Sequence, residues 1–115
     1  MIEDTVREFL SSKMTAPVWM EIPKNPPKKM IIIEKTGSSQ TNFIKTATFA
    51  MQSSDESLYK AAELNEELKS VMLDGVDGLI SLDEVSKVEL NSDYNYTDTA
   101  TKKYRYQAVF VVTHY

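Results

Sequence analysis

The chain has 115 residues, a formal net charge of −4 and no cysteine. This length suits a single core, so we predict that residues 1–115 form one domain. The absence of cysteine excludes disulfides, thiolate metal sites and cysteine nucleophiles, and the acidic balance argues against a general basic field for nucleic acid or membranes. No apolar run approaches the ~20 residues that span a bilayer. The acidic start, Met1–Asp4, lacks the apolar core of a secretion signal, so we expect a protein that folds in the cytosol.

Two stretches have the apolar periodicity of amphipathic helices. The first predicts a shorter N-terminal helix over Ile2–Lys13, which ends before Pro17 because proline interrupts helical hydrogen bonding. The second predicts one long central helix over Ser54–Leu73, around which the other elements are organised. Its apolar residues recur at spacings of three, four and seven; they are Leu58, Ala61, Ala62, Leu68, Val71 and Met72.

Local signals mark both ends of this central helix. Ser53 and Ser54 precede Asp55 and Glu56, a pattern in which a serine oxygen accepts from an orphan amide and a glutamate lies three residues later. Gly75 and Gly78 follow the last apolar residue. We expect both glycines to adopt positive φ where the chain turns away from the helix.

Strand-like alternation lies on both sides of the central helix. Two or three strands are predicted before it, from the segments Val18–Ile22, Met30–Lys35 and Phe43–Gln52, and Met30–Lys35 is expected to be covered on both faces. Two are predicted after it, Val85–Tyr96 and Tyr104–Tyr115. The residues expected to share a face within a strand are Phe43, Ala47, Phe49 and Met51; Val88, Leu90, Tyr94 and Tyr96; and Tyr104, Tyr106, Ala108, Phe110 and Val112.

Three segments are predicted as connections. Pro23–Lys29 contains three prolines and is expected to be a stiff, basic segment, whereas Thr36–Asn42 and Thr97–Thr101 are expected to be polar loops. The whole pattern predicts an α+β fold. We expect a mostly antiparallel sheet of four to five strands, with one long central helix and a shorter N-terminal helix packed on it.

The residues with catalytic or metal-binding chemistry form no recognisable site. His114 is the only histidine, has no serine or cysteine partner in a nucleophile turn, and is expected at the surface. Four carboxylates near the glycines lack the spacing of a calcium loop, and three glycines in all cannot form a phosphate cradle. They are Asp74, Asp77, Asp83 and Glu84. We therefore expect no enzymatic activity, no metal and no cofactor.

Aromatic residues leave two interpretations open. Four tyrosines beside Lys102, Lys103 and Arg105 suit either a platform that stacks single-stranded bases or a cross-strand ladder that packs the sheet. The acidic charge favours the ladder. Trp19 suits either a core position or an interface. The four tyrosines are Tyr94, Tyr96, Tyr104 and Tyr106.

Several stretches, taken in order and spacing, cover nearly the whole chain and carry a resemblance. They are Ile2–Leu10, Val18–Pro23, Pro26-Pro27, Ile33–Gly37, Ala50–Ser53, Ser57–Ala62, Leu90–Asp98 and Tyr104–Gln107. Together they resemble the small tail-terminator proteins, also called tail-completion, minor capsid or head–tail joining proteins, of long-tailed non-contractile bacteriophages and prophages of Gram-positive bacteria. Each stretch is structural, so no single motif is diagnostic.

The resemblance implies a role in virion assembly. The family's antiparallel sheet carries helices and assembles into a ring, expected to have six copies, that caps the tail tube, ends its polymerisation and provides the surface joined to the head. The implied partners are further copies of the chain, the tail-tube protein and head–tail connector proteins, with no membrane and no specific nucleic acid. The implied location is the head–tail junction of the virion, after assembly in the host cytoplasm.

Loops on a rigid scaffold are the natural contact elements of such a ring. The candidate assembly residues are Trp19, Lys24, Lys28, Lys29, Thr36, Gly37, Ser38, Ser39, Gln40, Asn42, Tyr96, Asp98, Lys102 and Lys103. Two other classes remain open. A small α+β ligand-binding module would bind a small molecule saturably as a monomer, and a nucleic-acid-binding sheet would bind in a salt-sensitive manner.

Overall fold

The structure is a computed structural model that describes residues 1–115. The helices are α1 (Ile2–Lys13) and α2 (Leu58–Leu73), and a short 3₁₀ turn lies at Leu79–Ser81. The strands form one sheet in the order β1-β2-β3-β5-β4, in which only the β1–β2 pair is parallel. Their bounds are β1 Val18–Trp19, β2 Met30–Thr41, β3 Ile44–Asp55, β4 Val85–Asn95 and β5 Tyr104–His114. The prediction of an α+β fold with a mostly antiparallel sheet is confirmed.

Both helices pack on one face of the sheet. The central strand β3 and its neighbour β5 bury alternate residues against the helices, as the sequence pattern predicts. Each helix contributes one apolar stripe to the same core. The buried residues of these four elements are Ala47, Phe49, Met51, Ala108, Phe110, Val112, Val6, Phe9, Leu10, Leu64, Leu68 and Met72.

The helices differ from the prediction in size and boundary. α1 has 12 residues and α2 has 16, so the two are of similar size, and the prediction of one long central helix with a short companion is wrong. The cause is β3, which stays paired as far as Asp55 and so takes the residues expected to start the helix. The cap is Ser57, whose hydroxyl accepts the Lys60 amide at 3.1 Å.

The end of α2 also differs from the expectation. No glycine has positive φ. The turn is instead stabilised by Asp74, whose carboxylate accepts the amides of Val76 and Asp77 at 2.8 and 3.0 Å. Gly78 is required for a different reason, since a Cβ there would lie 2.2 Å from the carbonyl oxygen of Asp74.

The β2–β3 hairpin is longer than predicted. β2 continues to Thr41, so the expectation of a polar loop at Thr36–Asn42 is wrong. Cross-strand pairing with β3 satisfies the backbone here although the side chains are polar. The chain turns at Asn42 and Phe43, and Phe43 is 89% exposed, not core-facing as expected. On the face away from the helices, β2 is covered only at its start, where the proline-rich segment lies beside Met30 and Ile32, so the expectation that this strand is covered on both faces is wrong for the rest of it.

A β-bulge changes the expected faces of β4. The register shifts between Leu90, which lies opposite Phe110, and Ser92, which lies opposite Val109. Val88 and Leu90 therefore share the helix side, whereas Tyr94 and Tyr96 point to the other face. The prediction that these four residues share a face is wrong, because a bulge inserts an extra residue into a period-two pattern.

Three smaller expectations are also corrected. The first strand covers Val18–Trp19 only, since the chain after it enters the proline-rich segment. His114 is buried at the end of β5, opposite Lys45 and Val85, and is not a surface residue. On α2, Leu58 of the predicted apolar face is 40% exposed. Leu64 and Asn65, which the predicted face does not include, are buried.

The core packing of α2 can be tested by paired truncations. We expect Leu68→Ala to lower the free energy of unfolding by about 2–5 kcal/mol, because Leu68 is fully buried beneath the helix. Leu58→Ala in the same helix should lower it by less than about 1 kcal/mol, because Leu58 is 40% exposed. Denaturant titration measures both values, and equal effects of the two substitutions would contradict this packing.

Candidate assembly surface

The face of the sheet opposite the helices, here called the open face, carries no helix. Its central residues alternate with the core residues of β3 and β5; they are Thr48, Ala50, Gln52, Gln107, Val109 and Val111. The proline-rich segment covers only one end of this face. The open face therefore combines aliphatic and polar side chains.

A row of hydrogen bonds crosses the open face. The Gln52 amide nitrogen donates to the Gln107 side-chain oxygen at 3.0 Å, and the Gln107 amide nitrogen donates to the Tyr94 hydroxyl. These residues come from β3, β5 and β4, so the row links three strands by their side chains as well as by their backbones. This fixes the side-chain positions of an uncovered surface.

The sheet has an unpaired edge on each side. β1 pairs only with Ile31 and Ile32, so β2 has no strand partner on its outer side from Ile33 to Thr41. β4 forms the other edge along its full length, from Val85 to Asn95. Unpaired edges present backbone N–H and C=O groups that can pair with another chain.

Polar contacts with α2 hold the β4 edge in place. The buried Asn65 amide donates to one Asp93 carboxylate oxygen at 2.7 Å, and the Lys69 ammonium donates to the other at 2.5 Å. Hydrogen bonds to Asp93 and then to Glu66 raise the pKa of Lys69 above its ordinary value. The edge strand is therefore anchored from the helix side, which leaves its outer side available.

The distal part of the β2–β3 hairpin, residues Thr36–Lys45, is here called the arm. All of its side chains are exposed. The Lys35 ammonium lies 3.2 Å from the Glu3 carboxylate at its base, which joins the arm to the start of α1. At its tip Asn42 and Phe43 have φ of 50° and 69°, the left-handed region that favours Asn and Gly. The Phe43 ring thus lies in solvent, on a backbone conformation that is unfavourable for a bulky residue.

A cavity of about 380 Å³ lies at the opposite end of the hairpin. One side is apolar and is formed by the proline-rich segment and the start of β2. The other side contains basic residues from the β4–β5 turn and the start of β5. Its lining includes Ile22, Pro26 and Ile32 on the apolar side and the cations Lys28, Lys103 and Arg105.

Ten of the predicted assembly residues fall into two groups at opposite ends of the sheet. Those of the first group lie on the arm; they are Thr36, Gly37, Ser38, Ser39, Gln40 and Asn42. Those of the second lie at the cavity, which Lys28, Lys102 and Lys103 line. Trp19 belongs with the second group, because it is exposed and pairs with Ile32 beside the cavity.

The remaining predicted residues have other surroundings. Lys24 is exposed in the proline-rich segment, and Lys29 donates to the Thr15 hydroxyl at 3.5 Å, outside the cavity. The Tyr96 ring carries the Arg105 guanidinium 4.8 Å above its centre. Asp98 shapes the β4–β5 turn, where hydrogen bonds from the Thr101 hydroxyl and from the Thr101 and Ala100 amides lower its pKa.

The tyrosines do not form one platform. Tyr94 lies opposite Gln107 on the open face, whereas Tyr106 alternates onto the helix side of β5. Tyr94 and Tyr96 contact each other edge to face with ring centres 6.0 Å apart. No group of three or more His, Cys, Asp or Glu side chains has a metal-binding arrangement. Neither helix has the length and apolar character that crossing a membrane requires.

Comparison with known proteins adds no family assignment. No family model matches the sequence, and no curated protein matches it.

Sequence reasoning missed several parts of this surface. Phe43 was expected in the core, although the preceding Asn42 is a typical signal for a tight hairpin turn. The two sheet edges depend on strand order, and the Arg105–Tyr96 contact depends on the pairing of β4 with β5. The proline-rich segment was expected to be a connection only. No pattern in its own sequence indicates that it forms one wall of a cavity.

The turn at the arm tip gives a direct test. We expect Phe43→Gly to raise the free energy of unfolding by about 1 kcal/mol, because Asn-Gly is the preferred pair for two residues of positive φ and no buried contact is lost. The comparison substitution Phe49→Gly removes a buried ring from the strand that follows this turn, β3, and should be strongly destabilising. Thermal and denaturant unfolding measure both. A destabilised Phe43→Gly variant would contradict this turn geometry.

Proposed function

We propose that this protein is a structural subunit of a phage tail, which forms a ring at the end of the tail tube, stops tube growth and provides the surface joined to the head. The observation that carries the proposal is the pair of unpaired sheet edges, β2 on one side and β4 on the other. Two different edges on one subunit can join copies in a head-to-tail manner, and such contacts close into a ring when the rotation between copies is right.

The strand directions suit this closure. Three antiparallel steps separate β2 from β4, so these two strands run in opposite directions. Rotation about an axis along the strands preserves their direction. The β4 edge of one copy would therefore meet the β2 edge of the next as an antiparallel neighbour, and a continuous antiparallel sheet would result.

The edges also lie at the same height on the sheet. The residue pairs that cross the sheet through β3 and β5 connect Gly37 of β2 with Glu89 of β4, and they connect Ser39 with Lys87. The exposed part of β2 thus has a counterpart of similar length on β4. The two register shifts of β4 and its charged side chains weaken unassisted pairing. This supports a ring that closes on the tube, with six copies as the family resemblance implies.

The two ends of the subunit differ, as a terminator requires. The arm presents an exposed phenylalanine and polar side chains, whereas the other end presents the basic cavity. A ring built from such subunits has two chemically different ends. One end of the ring can bind the tube, while the other end binds the connector proteins and does not bind further tube subunits. The role is geometric, so the proposal requires no catalytic residue.

Pairing of the edges can be tested by cross-linking, since the chain has no cysteine of its own. A Ser39→Cys, Lys87→Cys double variant, oxidised in the presence of tubes formed by the cognate tail-tube protein, should give a ladder of covalent oligomers that ends at the ring number. The control pairs Ser39→Cys with Glu66→Cys, whose position is exposed on α2. Dimers alone, or the same ladder in the control, would contradict edge pairing.

Tube capping tests the biological role. We expect tube subunits that polymerise with this protein present to give tubes of limited length, with additional density at one end in electron micrographs. The reason is that a capped end no longer offers the repeating contact. Phe43→Gly should keep the fold while it weakens capping if the arm contacts the tube. Unchanged tube lengths with the wild-type protein would refute the terminator assignment.

A further inference from the structure

We propose that the cavity at the end of the open face binds an acidic peptide segment that carries an apolar side chain. The inference goes beyond the ring proposal, because the site lies within one subunit and does not require assembly. It depends on three features of the cavity, namely its charge, its apolar wall and its accessibility.

The charge of the cavity is opposite to that of the protein. The chain has a net charge of −4, yet four cations line this one cavity, Lys28, Lys102, Lys103 and Arg105. None of the four forms a salt bridge within the chain. Positive charges that line one cavity and form no salt bridge favour an anionic ligand.

The two carboxylates of the lining do not cancel this charge. Asp55 accepts the Glu56 amide at 2.7 Å, and Glu56 forms a salt bridge with Lys60 at the start of α2. The hydrogen bond from Lys60 lowers the pKa of Glu56, which favours the charged form of the carboxylate in this salt bridge. Lys28 also attracts Glu56 electrostatically. With four cations against two carboxylates, the lining keeps an excess of two positive charges for the carboxylates of a ligand.

The apolar wall indicates what accompanies the negative charge. This wall contains Ile22, which precedes the proline-rich segment, together with Pro26 of that segment and Met30 and Ile32 of β2. Apart from Tyr104, the hydrophobic lining is aliphatic. One face of the neighbouring Tyr96 ring is occupied by Arg105. This surface suits an aliphatic or aromatic side chain of a peptide better than the stacked bases of a nucleic acid, which require accessible ring faces.

The arrangement of the site also suits an extended segment. The volume of about 380 Å³ is enough for one or two side chains, while the cations lie on two separate segments, residues 28 and 102–105, on either side. A peptide with carboxylates before and after its apolar residue would place charge on both. Arg105 is held in position, because its Nε donates to the Tyr96 carbonyl at 2.8 Å. Part of the site is thus preorganised.

The test uses the full chain and short labelled peptides with a central Leu or Phe flanked by Asp and Glu. Binding is followed by peptide anisotropy and by emission from Trp19, the only tryptophan, which pairs with the cavity residue Ile32. We expect saturable binding that weakens as salt increases, and weaker binding when the central residue is Ala. Peptides of the same length flanked by Lys should not bind.

Matched variants locate the binding. Lys28→Glu and Lys103→Glu should each lower affinity by about tenfold or more, because both cations line the cavity. Lys24→Glu makes the same change of net charge outside it and should leave affinity within about twofold. Equal losses in all three variants would overturn the site, since they would indicate general attraction. Absence of saturation, equal binding of the Lys-flanked peptides, or preference for oligothymidylate would also overturn the proposal.

Discussion

Pairing of β3 on both sides is the constraint on which the rest of this structure depends. All 12 residues of β3 lie opposite a residue of β2, β5 or both, and its alternate side chains Ala47, Phe49 and Met51 form the floor of the core. The same pairing extends past the core to support the arm on one end, and past the expected helix start on the other. The pairing of β3 thereby determines where α2 begins, how long the arm is and which strand residues lie under the cavity.

The local parts of the fold could be predicted from the sequence. The period-two pattern around Phe49 and Phe110 and the helical period around Leu10 and Leu68 each reflect contacts that repeat along one element. The bounds of α1 were also predictable, because Pro17 and the apolar stripe act locally. These signals depend on neighbouring residues only.

The remaining features depend on residues far apart in the chain. A capping pattern at Ser53–Glu56 competes with strand pairing, and the pairing partners that decide the outcome are Met30 and Tyr104. Likewise, polar residues of the arm form a strand only because β3 lies beside them. The candidate residues could be listed from composition, but their division between two ends of the sheet follows from the hairpin's register, which no local pattern encodes.

The bulge in β4 has a consequence for insertions and deletions. Asn91 is the additional residue between Leu90 and Ser92, and it places Asp93 beneath α2 and Tyr94 on the open face. Loss of this one residue would make the ladder regular and would keep the faces of the β4 residues that follow, because Ser92 would still lie opposite Val109. A regular pairing that retained Asn91 would instead exchange those faces, so that the carboxylate would leave Asn65 and Lys69 and the tyrosine would turn toward the helix. The strand should therefore tolerate deletion of position 91, whereas it cannot tolerate a slip of one residue in the pairing.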